Sequence, residues 1–254
     1  MLTIPPMTKS STSRFPEIDG TRGIAIGMMV LYHTLFDLTF FGVMDIPVTT
    51  GFWRFFAYAC AIIFVFIVGI SLSISHARTE QRFPGQKNIK KYLIRGLKLL
   101  ALGFLITFVT WLYLGEGFIV FGILHLIGLS VILSPLVLGK PRLALIVGIL
   151  LLCLGPLVSM IPGPEWLIWL GFRPETFYSV DYEPLIPWFG VVLLGICAGT
   201  RAYPKGERGF TLPFRPGQCT AFLSMAGRHS LLIYLVHQPI LILLITAFTG
   251  ATVW

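Results

Sequence analysis

Long apolar stretches recur along almost the whole chain and are separated by short polar links. Within them the apolar residues do not alternate with polar ones, which argues against the strands of an outer-membrane barrel. Each stretch is about 20 residues long, the length at which a helix crosses the hydrocarbon core of a bilayer. The pattern therefore predicts an all-α, polytopic membrane helix bundle of about seven transmembrane helices, at residues 23–43, 52–75, 93–114, 118–138, 142–160, 185–201 and 228–249.

The composition excludes the other broad classes of protein. Of the 254 residues, 56% are hydrophobic and only 12% are charged, whereas a soluble globular domain carries about 25% charged residues. This balance excludes both a soluble enzyme and a disordered chain. The four cysteines form no Cys-x-x-Cys motif and no Cys/His ligand spacing, so the sequence predicts neither a metal site nor a disulfide framework.

Positive charge is concentrated on one side of the predicted membrane. The chain has 19 basic and 11 acidic residues, a formal net charge of +8. Of the basic residues, 17 fall in the segments 1–22, 76–98, 139–142 and 201–228. Because cytoplasmic loops are enriched in Lys and Arg, this pattern predicts an N-in, C-out orientation, contact with membrane lipid and no nucleic-acid partner. Residues 1–22 are then a cytoplasmic segment, and residues 23–254 form a single transmembrane domain.

Two ionisable residues inside the first predicted span, His33 and Asp37, indicate a functional site. Ionisable side chains are costly within a bilayer and commonly mark function. Their i, i+4 spacing puts them on one helical face, close enough to form a hydrogen bond. An aspartate beside a histidine fixes its tautomer and stabilises the imidazolium, as it does for a general base. We therefore predict that His33 and Asp37 are catalytic; the alternative is a polar clip between helices.

Two further histidines lie inside predicted spans. His237 is followed by Gln238 and Pro239, polar and helix-distorting neighbours that favour a catalytic role about as strongly as a structural one. His125 has no such neighbours and is more typical of a contact between helices, although substrate binding is an alternative.

The predicted cytoplasmic side holds candidate residues for an anionic cofactor. Arg22 ends the motif Asp19-Gly-Thr-Arg22, where it would anchor the helix or face a buried phosphate. The stretch 78–98 is the densest basic part of the chain, and it would attract anionic lipid or dock a polyanionic cofactor. Its candidate cofactor-binding residues are Lys87, Lys90, Lys91 and Arg95. Since the chain has no Walker-type and no Gly-x-Gly-x-x-Gly loop, standard nucleotide binding is not predicted.

Four blocks of sequence, in order along the chain, resemble a family of integral-membrane acyltransferases. They are residues 14–33, with the Asp19-Gly-Thr-Arg22 motif, and residues 121–129, 181–190 and 227–239. The set resembles the heparan-alpha-glucosaminide N-acetyltransferase catalytic-domain family and covers the chain from about residue 14 to residue 245. The O-acyltransferases of bacterial surface sugars share the Asp-Gly-x-Arg motif and the first-span histidine, and they are the related alternative.

The resemblance implies an acyltransferase that moves an acetyl group from cytoplasmic acetyl-CoA, a co-substrate, to an acceptor across the membrane. The acceptor would be an amine or a hydroxyl, of sugar type, and the predicted substrate-binding residues are His125, Asp181 and Glu183. Eukaryotic members carry their proposed active-site histidine in the first non-cytoplasmic loop, but residues 44–52 contain none. We therefore assign that role to His33, with His237 as the next candidate.

Two other functions are left open by the sequence. A proton-coupled small-molecule transporter would use His33, Asp37, His125 and His237 as a relay. A non-catalytic assembly protein would use them only to hold helices together. The chain lacks the large luminal extension of the lysosomal enzymes, so we expect a small prokaryotic-type enzyme of the cytoplasmic membrane with an acceptor other than heparan. A homodimer is left open.

Overall fold

The structure, a computed structural model, describes residues 14–86, 88–212 and 217–250. These residues form eight α-helices and, apart from two isolated bridges, no β-structure, so the predicted all-α class is confirmed. In chain order the helices are α1 (Pro16–Phe40), α2 (Gly51–Arg82), α3 (Ile89–Leu114), α4 (Ile123–Leu133), α5 (Pro141–Met160), α6 (Leu185–Ala202), α7 (Gln218–Arg228) and α8 (Ser230–Thr249). Six of them, α1, α2, α3, α5, α6 and α8, are long and apolar enough to cross a membrane. The chain is an integral membrane protein.

The fourth predicted span is shorter in the structure than the sequence suggests. Residues 118–138 are predicted to cross the membrane, but α4 with its following 3₁₀ turn covers only Ile123–Leu136. That length reaches about 21 Å, less than the hydrocarbon core of about 30 Å. Helix α4 packs against α3 and α6, and its Leu126 and Val131 are fully buried. A short helix enclosed by protein therefore replaces the seventh full-length span.

The basic stretch 78–98, interpreted from the sequence as a loop, is mostly helical. Helix α2 continues to Arg82 and α3 begins at Ile89. The apolar pattern marks the part of a helix inside the hydrocarbon, whereas α2, with 32 residues, is about 48 Å long and extends beyond it. The predicted link 201–228 likewise contains α7. Helices therefore carry the basic residues Arg78 and Arg82 (α2), Lys90, Lys91, Arg95 and Lys98 (α3) and Arg228 (α7).

The centre of the bundle is built on α6, whose Leu193 and Ile196 are fully buried. Helix α2 crosses α6 at Gly69 and Gly195, so closely that a Cβ on Gly195 would overlap the carbonyl oxygen of Phe66. Small residues permit this approach, because helices in lipid associate through close packing and not through a hydrophobic driving force. The α2–α6 contact therefore forms the rigid part of the fold.

Gly195→Ala is expected to destabilise this contact. The new methyl group would meet a backbone that cannot rotate away, and overpacking of this kind costs about 1–3 kcal/mol. Gly27→Ala is the matched control, because nothing lies within 4 Å of a Cβ at that position and alanine has the higher helix propensity. Thermal unfolding in detergent should show a lower midpoint for Gly195→Ala only. Equal midpoints for the two variants would contradict the packing described.

Helix α7 places α8 beside α1. A Cβ on Gly23 would overlap the carbonyl oxygen of Leu223, and a Cβ on Gly227 would overlap that of Asp19. Helices α1 and α7 therefore touch backbone to backbone, as small residues allow. Helix α8 follows α7 after a single residue, His229. Its start is thus held next to α1, and these two helices carry the candidate site.

Candidate functional site

Two histidines from different helices meet inside the bundle. His33 lies in α1 and His237 in α8, and their rings contact edge to face with centroids 4.9 Å apart. His237 is buried and His33 is half-buried. Both are predicted catalytic residues, but nothing in the sequence places them together. We refer to them as the histidine pair.

The backbone sets the tautomer of both rings. His33 Nδ1 lies 3.0 Å from the carbonyl oxygen of Met29, and His237 Nδ1 lies 2.7 Å from that of Tyr234. A carbonyl oxygen only accepts hydrogen bonds, so Nδ1 carries the hydrogen in each neutral ring and Nε2 keeps a lone pair. His237 Nε2 is enclosed without a hydrogen-bond partner. Each ring is therefore held in the form that can accept a proton or attack an electrophile.

Asp37 does not form the hydrogen bond to His33 that the i, i+4 spacing predicts. Its Oδ1 accepts a 2.7 Å hydrogen bond from Nε2 of Gln238 in α8, while His33 is bound to Met29 in its own helix. The predicted hydrogen bond is wrong, because a carbonyl one turn back engages His33 Nδ1 and α8 supplies the donor for Asp37. Asp37 stays a predicted catalytic residue, but it does not set the tautomer of His33.

Unpaired hydrogen-bond acceptors surround the histidine pair. Asp37 Oδ2 and Gln238 Oε1 are enclosed without a partner, as is His237 Nε2. Tyr113 at the end of α3 is close enough to Asp37 to interact electrostatically, but it forms no hydrogen bond to the free carboxylate oxygen. Leaving enclosed acceptors unpaired is costly. The arrangement therefore favours a ligand that brings N–H or O–H groups.

His125 caps the N-terminus of α4 and is not part of the histidine pair. Its Nδ1 accepts a hydrogen bond from the backbone N–H of Gly122, and its Nε2 lies 3.4 Å from the hydroxyl of Thr107. The side chain is almost fully buried, in contact with the rings of Phe104 and Phe121. Because both ring nitrogens are engaged, the geometry favours the structural alternative over the predicted substrate-binding role.

The other predicted substrate-binding residues, Asp181 and Glu183, lie in the segment between α5 and α6. Asp181 accepts a hydrogen bond from the backbone N–H of Ile123 and so caps α4 as well. Burial raises the pKa of Asp181 to about 6, and burial with the Asp181 charge raises the pKa of Glu183 well above its ordinary value. Both carboxyl groups interact electrostatically with Tyr234, whose ring contacts that of His237. Tyr234 therefore connects the neighbourhood of these two carboxyl groups to the histidine pair.

Asp181→Asn is expected to remove a pH dependence of stability. A carboxyl whose pKa rises on folding from 3.8 to about 6 stabilises the fold fully below the lower value, and this contribution is lost as the pH rises through the upper one. Asparagine keeps an oxygen for the Ile123 N–H but does not ionise. Thermal midpoints should therefore coincide near pH 4 and favour the variant above about pH 6. A variant less stable than the wild type at neutral pH would contradict this.

A cleft of about 520 Å³ opens at the end of the bundle where α1 begins. Residues of α1, α2, α3 and α7 line it, and among its side chains only Asp19 is acidic. Its basic side chains are Arg14, Arg22, Arg78, Arg82, Lys91 and Arg228. The hydroxyls of Ser71, Ser75 and Thr79 follow one face of α2 along the same cleft. Cations interleaved with hydroxyl groups suit an anion that carries several phosphates.

The predicted cofactor-binding residues do not all line this basic cleft. Arg22 and Lys91 do, whereas Arg95 is close enough to Arg22 to repel it but lies outside the lining. Lys90 is exposed on α3, away from the cleft. Lys87 lies outside the described residues.

Sequence reasoning missed four arginines of the basic cleft, Arg14, Arg78, Arg82 and Arg228. Arg78 comes from the end of α2 and Arg228 from α7, so only the packing of three helices brings them to Arg22. One signal was available. The hydroxyls of Ser71, Ser75 and Thr79 recur every four residues across the end of the predicted span 52–75, which places them on one helical face.

The basic cleft and the histidine pair lie along the same helix. Arg22 and His33 are separated by about 16 Å along α1, at 1.5 Å per residue. An extended cofactor arm of that order of length would join a phosphate in the cleft to a reacting group at His33. Among the residues that the structure describes, no three or more His, Cys, Asp or Glu side chains are grouped so as to hold a metal ion.

Comparison with known proteins identifies one matching family. A family model described as heparan-alpha-glucosaminide N-acetyltransferase, catalytic, matches residues 14–239. The match covers most of the chain and runs from the start of the basic cleft, through α1 with His33 and Asp37, to Pro239 in α8. No curated protein and no solved structure matches the chain.

Proposed function

We propose, because the chain belongs to the heparan-alpha-glucosaminide N-acetyltransferase catalytic family, that this membrane acetyltransferase takes its acetyl group from acetyl-CoA. The acceptor is an amine or a hydroxyl of a sugar-type molecule that reaches the site from the opposite side of the membrane. The observation that carries the proposal is the histidine pair, whose two Nε2 atoms keep their lone pairs. The pair lies about 16 Å along α1 from the basic cleft.

The basic cleft is the proposed site for the phosphates of acetyl-CoA. Arg22 donates hydrogen bonds to Ser71 and Asp19, and Lys91 donates to the hydroxyls of Ser75 and Thr79. These cations already lie among hydrogen-bonding groups, so little side-chain ordering is needed to bind phosphate. By the positive-inside rule this end of the bundle faces the cytoplasm. Acetyl-CoA supplies an activated acetyl group as a thioester.

His33 is the proposed general base. Its Nε2 removes the proton from the acceptor N–H or O–H while the acceptor attacks the acetyl carbon. As the carbon–sulfur bond breaks, His33 returns that proton to the leaving sulfur. In a two-step route, His33 Nε2 attacks the acetyl carbon, the carbon–sulfur bond breaks and CoA leaves as a thiolate. The acceptor then attacks the acetyl carbon on His33, the carbon–nitrogen bond breaks, and the acceptor's proton passes to His237 Nε2. In either route His237, in contact with the His33 ring, offers a second site for the proton.

The transporter alternative fits the geometry less well. A relay through His33, Asp37, His125 and His237 requires each member to exchange a proton with the next. His125 instead caps α4 with both nitrogens engaged, and Asp37 is bonded to Gln238. We place the enzyme in the cytoplasmic membrane of a prokaryote, as a monomer or a homodimer, with an acceptor other than heparan.

Acetyl transfer across sealed vesicles tests the proposal. Purified protein is reconstituted with labelled acetyl-CoA on the side of the basic cleft, and with amino sugars and neutral sugars on the other side. We expect saturable binding of acetyl-CoA and labelled acetyl-sugar in the acceptor compartment. A protein that neither binds acetyl-CoA nor labels an acceptor would overturn the proposal. Gradient-driven sugar accumulation without acetylation would establish the transporter instead.

A further inference from the structure

We propose that Gln238 is a positioning residue for acetyl transfer, which holds Asp37 and the histidine pair in their working geometry. The inference rests on the proposed function, because it assumes that the histidine pair performs the transfer. Gln238 touches neither the donor nor the acceptor in this scheme. It acts through Asp37, to which it donates, and through His237, its neighbour in sequence.

The hydrogen bond from Gln238 to Asp37 joins α8 directly to α1. It is 2.7 Å long and lies beside the histidine contact on both helices, since Gln238 follows His237 and Asp37 is one turn beyond His33. Asp37 is only 3% exposed, so water competes little for its carboxylate. Polar links of this kind are a main means by which helices hold one another in lipid.

Apart from the histidine contact and the packing of Ile233 and Tyr234 one turn earlier, little else fixes α8 at this level. Of its side chains, only those of His237 and Ile245 are buried, and its many exposed apolar side chains gain as much from lipid as from protein. Pro239 comes directly after Gln238, and it lacks the N–H that would bond the carbonyl of Leu235. The backbone of α8 is therefore least constrained at the point where Gln238 ties it to α1.

The hydrogen bond has a fixed direction. Gln238 must turn its NH₂ group toward Asp37, because the opposite orientation of the amide would bring two acceptor oxygens together. Gln238 Oε1 and Asp37 Oδ2 are then left unpaired beside the histidines. Helix α8 thus supplies the donor and α1 the acceptor. Exchanging the donor and the acceptor between the two helices distinguishes a requirement for this hydrogen bond from a general requirement for a folded protein.

Steady-state kinetics of Gln238→Ala separate positioning from folding. Loss of the link should lower kcat by about 10- to 100-fold, as a misplacement of about 1 Å can. The KM for acetyl-CoA should change less than about twofold, because Asp37, to which Gln238 binds, lies about 22 Å along α1 from Arg22 of the basic cleft. Val236→Ala, an exposed position of the same helix, is the matched control and should keep wild-type kinetics. Wild-type kinetics for Gln238→Ala, or equal changes in kcat and KM, would overturn the inference.

Exchanging the two partners tests the link itself. In the double variant Asp37→Asn/Gln238→Glu, the asparagine amide donates to a glutamate on α8, whereas Gln238→Glu alone sets two carboxyl groups against each other. The double variant should recover at least about 10-fold of the kcat that Gln238→Glu loses, and no recovery would overturn the inference.

An inactive wild type would instead refute the proposed function. Amide hydrogen exchange in α8 then tests the link alone: it should be faster in Gln238→Ala than in Val236→Ala, and equal exchange would overturn the inference.

Discussion

Replacing His33 with alanine is expected to lower acetyl transfer by about 10²- to 10⁴-fold, the usual contribution of a general base, while acetyl-CoA still binds. The hydrogen bond of the His33 ring stays within its own helix, at the Met29 carbonyl, and the ring meets α8 through its edge-to-face contact with His237. The Gln238–Asp37 hydrogen bond still joins the two helices when the ring is removed, so the fold should be kept. The phosphates of the donor would bind in the basic cleft, about 16 Å away along α1. Titration of acetyl-CoA and the rate of transfer, measured on one preparation, test both halves of this prediction.

The second histidine and a remote one provide the controls. His33→Ala/His237→Ala should be little worse than His33→Ala, because groups that act as one unit are not additive. His76→Ala, in α2 and outside the histidine pair, should keep its activity. Normal turnover by folded His33→Ala protein would remove His33 from the mechanism and leave His237 as the base.

Asp37→Asn should cost less than His33→Ala. The Met29 carbonyl, and not Asp37, sets the tautomer of His33, so the histidine keeps its free Nε2. Asparagine also keeps an oxygen that can accept the hydrogen bond from Gln238. What is lost is a negative charge one turn from an imidazolium, for which we expect a loss of about 10-fold in kcat. A loss as large as that of His33→Ala would restore the direct His33–Asp37 coupling that the sequence predicts.

Neutralising the basic cleft is expected to weaken acetyl-CoA binding by about 10- to 100-fold for each charged hydrogen bond removed. Lys91→Gln is the cleaner variant, because the lysine contacts the Ser75 and Thr79 hydroxyls and no acid. Arg22→Gln should have at least the same effect, but it also releases Asp19, which is buried. Calorimetric titration at several salt concentrations measures the affinity, and the difference from wild type should shrink as salt rises.

A short acetyl thioester without phosphates, used as the donor, distinguishes the loss of a phosphate contact from a disturbed fold. Its use as a donor should be unchanged in Lys91→Gln, since it offers no phosphate to the cleft. Lys90→Gln is the matched control, because this neighbouring lysine is exposed and does not line the cleft. Equal losses for both donors would show that the substitution disturbs the fold and that the cleft does not hold the donor.

The fold class of this protein and several of its candidate site residues can be predicted from the sequence, because the chain lies in a bilayer. A segment in lipid must satisfy its own backbone hydrogen bonds, so long apolar runs predict an all-helical membrane bundle without knowledge of which helix packs on which. Ionisable residues are costly there, and for that reason the sequence alone identifies His33, Asp37 and His237 as candidate catalytic residues. The motif Asp19-Gly-Thr-Arg22 and the blocks that follow it predicted the family, which the match over residues 14–239 confirms.

The ends of the helices are less well determined by the sequence. The hydrophobicity of a segment marks where its helix leaves the hydrocarbon, but α2 continues as a helix to Arg82, beyond the apolar part of the segment. Helix α4 begins at Ile123, five residues after the predicted start of its span, where two protein groups cap its N-terminus. His125 from its own first turn and Asp181 from a distant segment satisfy its N-terminal N–H groups. Caps supplied by a distant part of the chain leave no local signal.

Only the tertiary structure decided which polar residues meet. Spacing predicted that His33 would bind Asp37, whereas the partners are His237 and Gln238 from α8. Helical periodicity shows which residues share a face, but it does not show which helix packs against that face. That choice is made by the close approach of α1 and α7 at Gly23 and by the single residue that joins α7 to α8. The basic cleft depends on the same packing, because its cations come from separate helices that only the folded chain brings together.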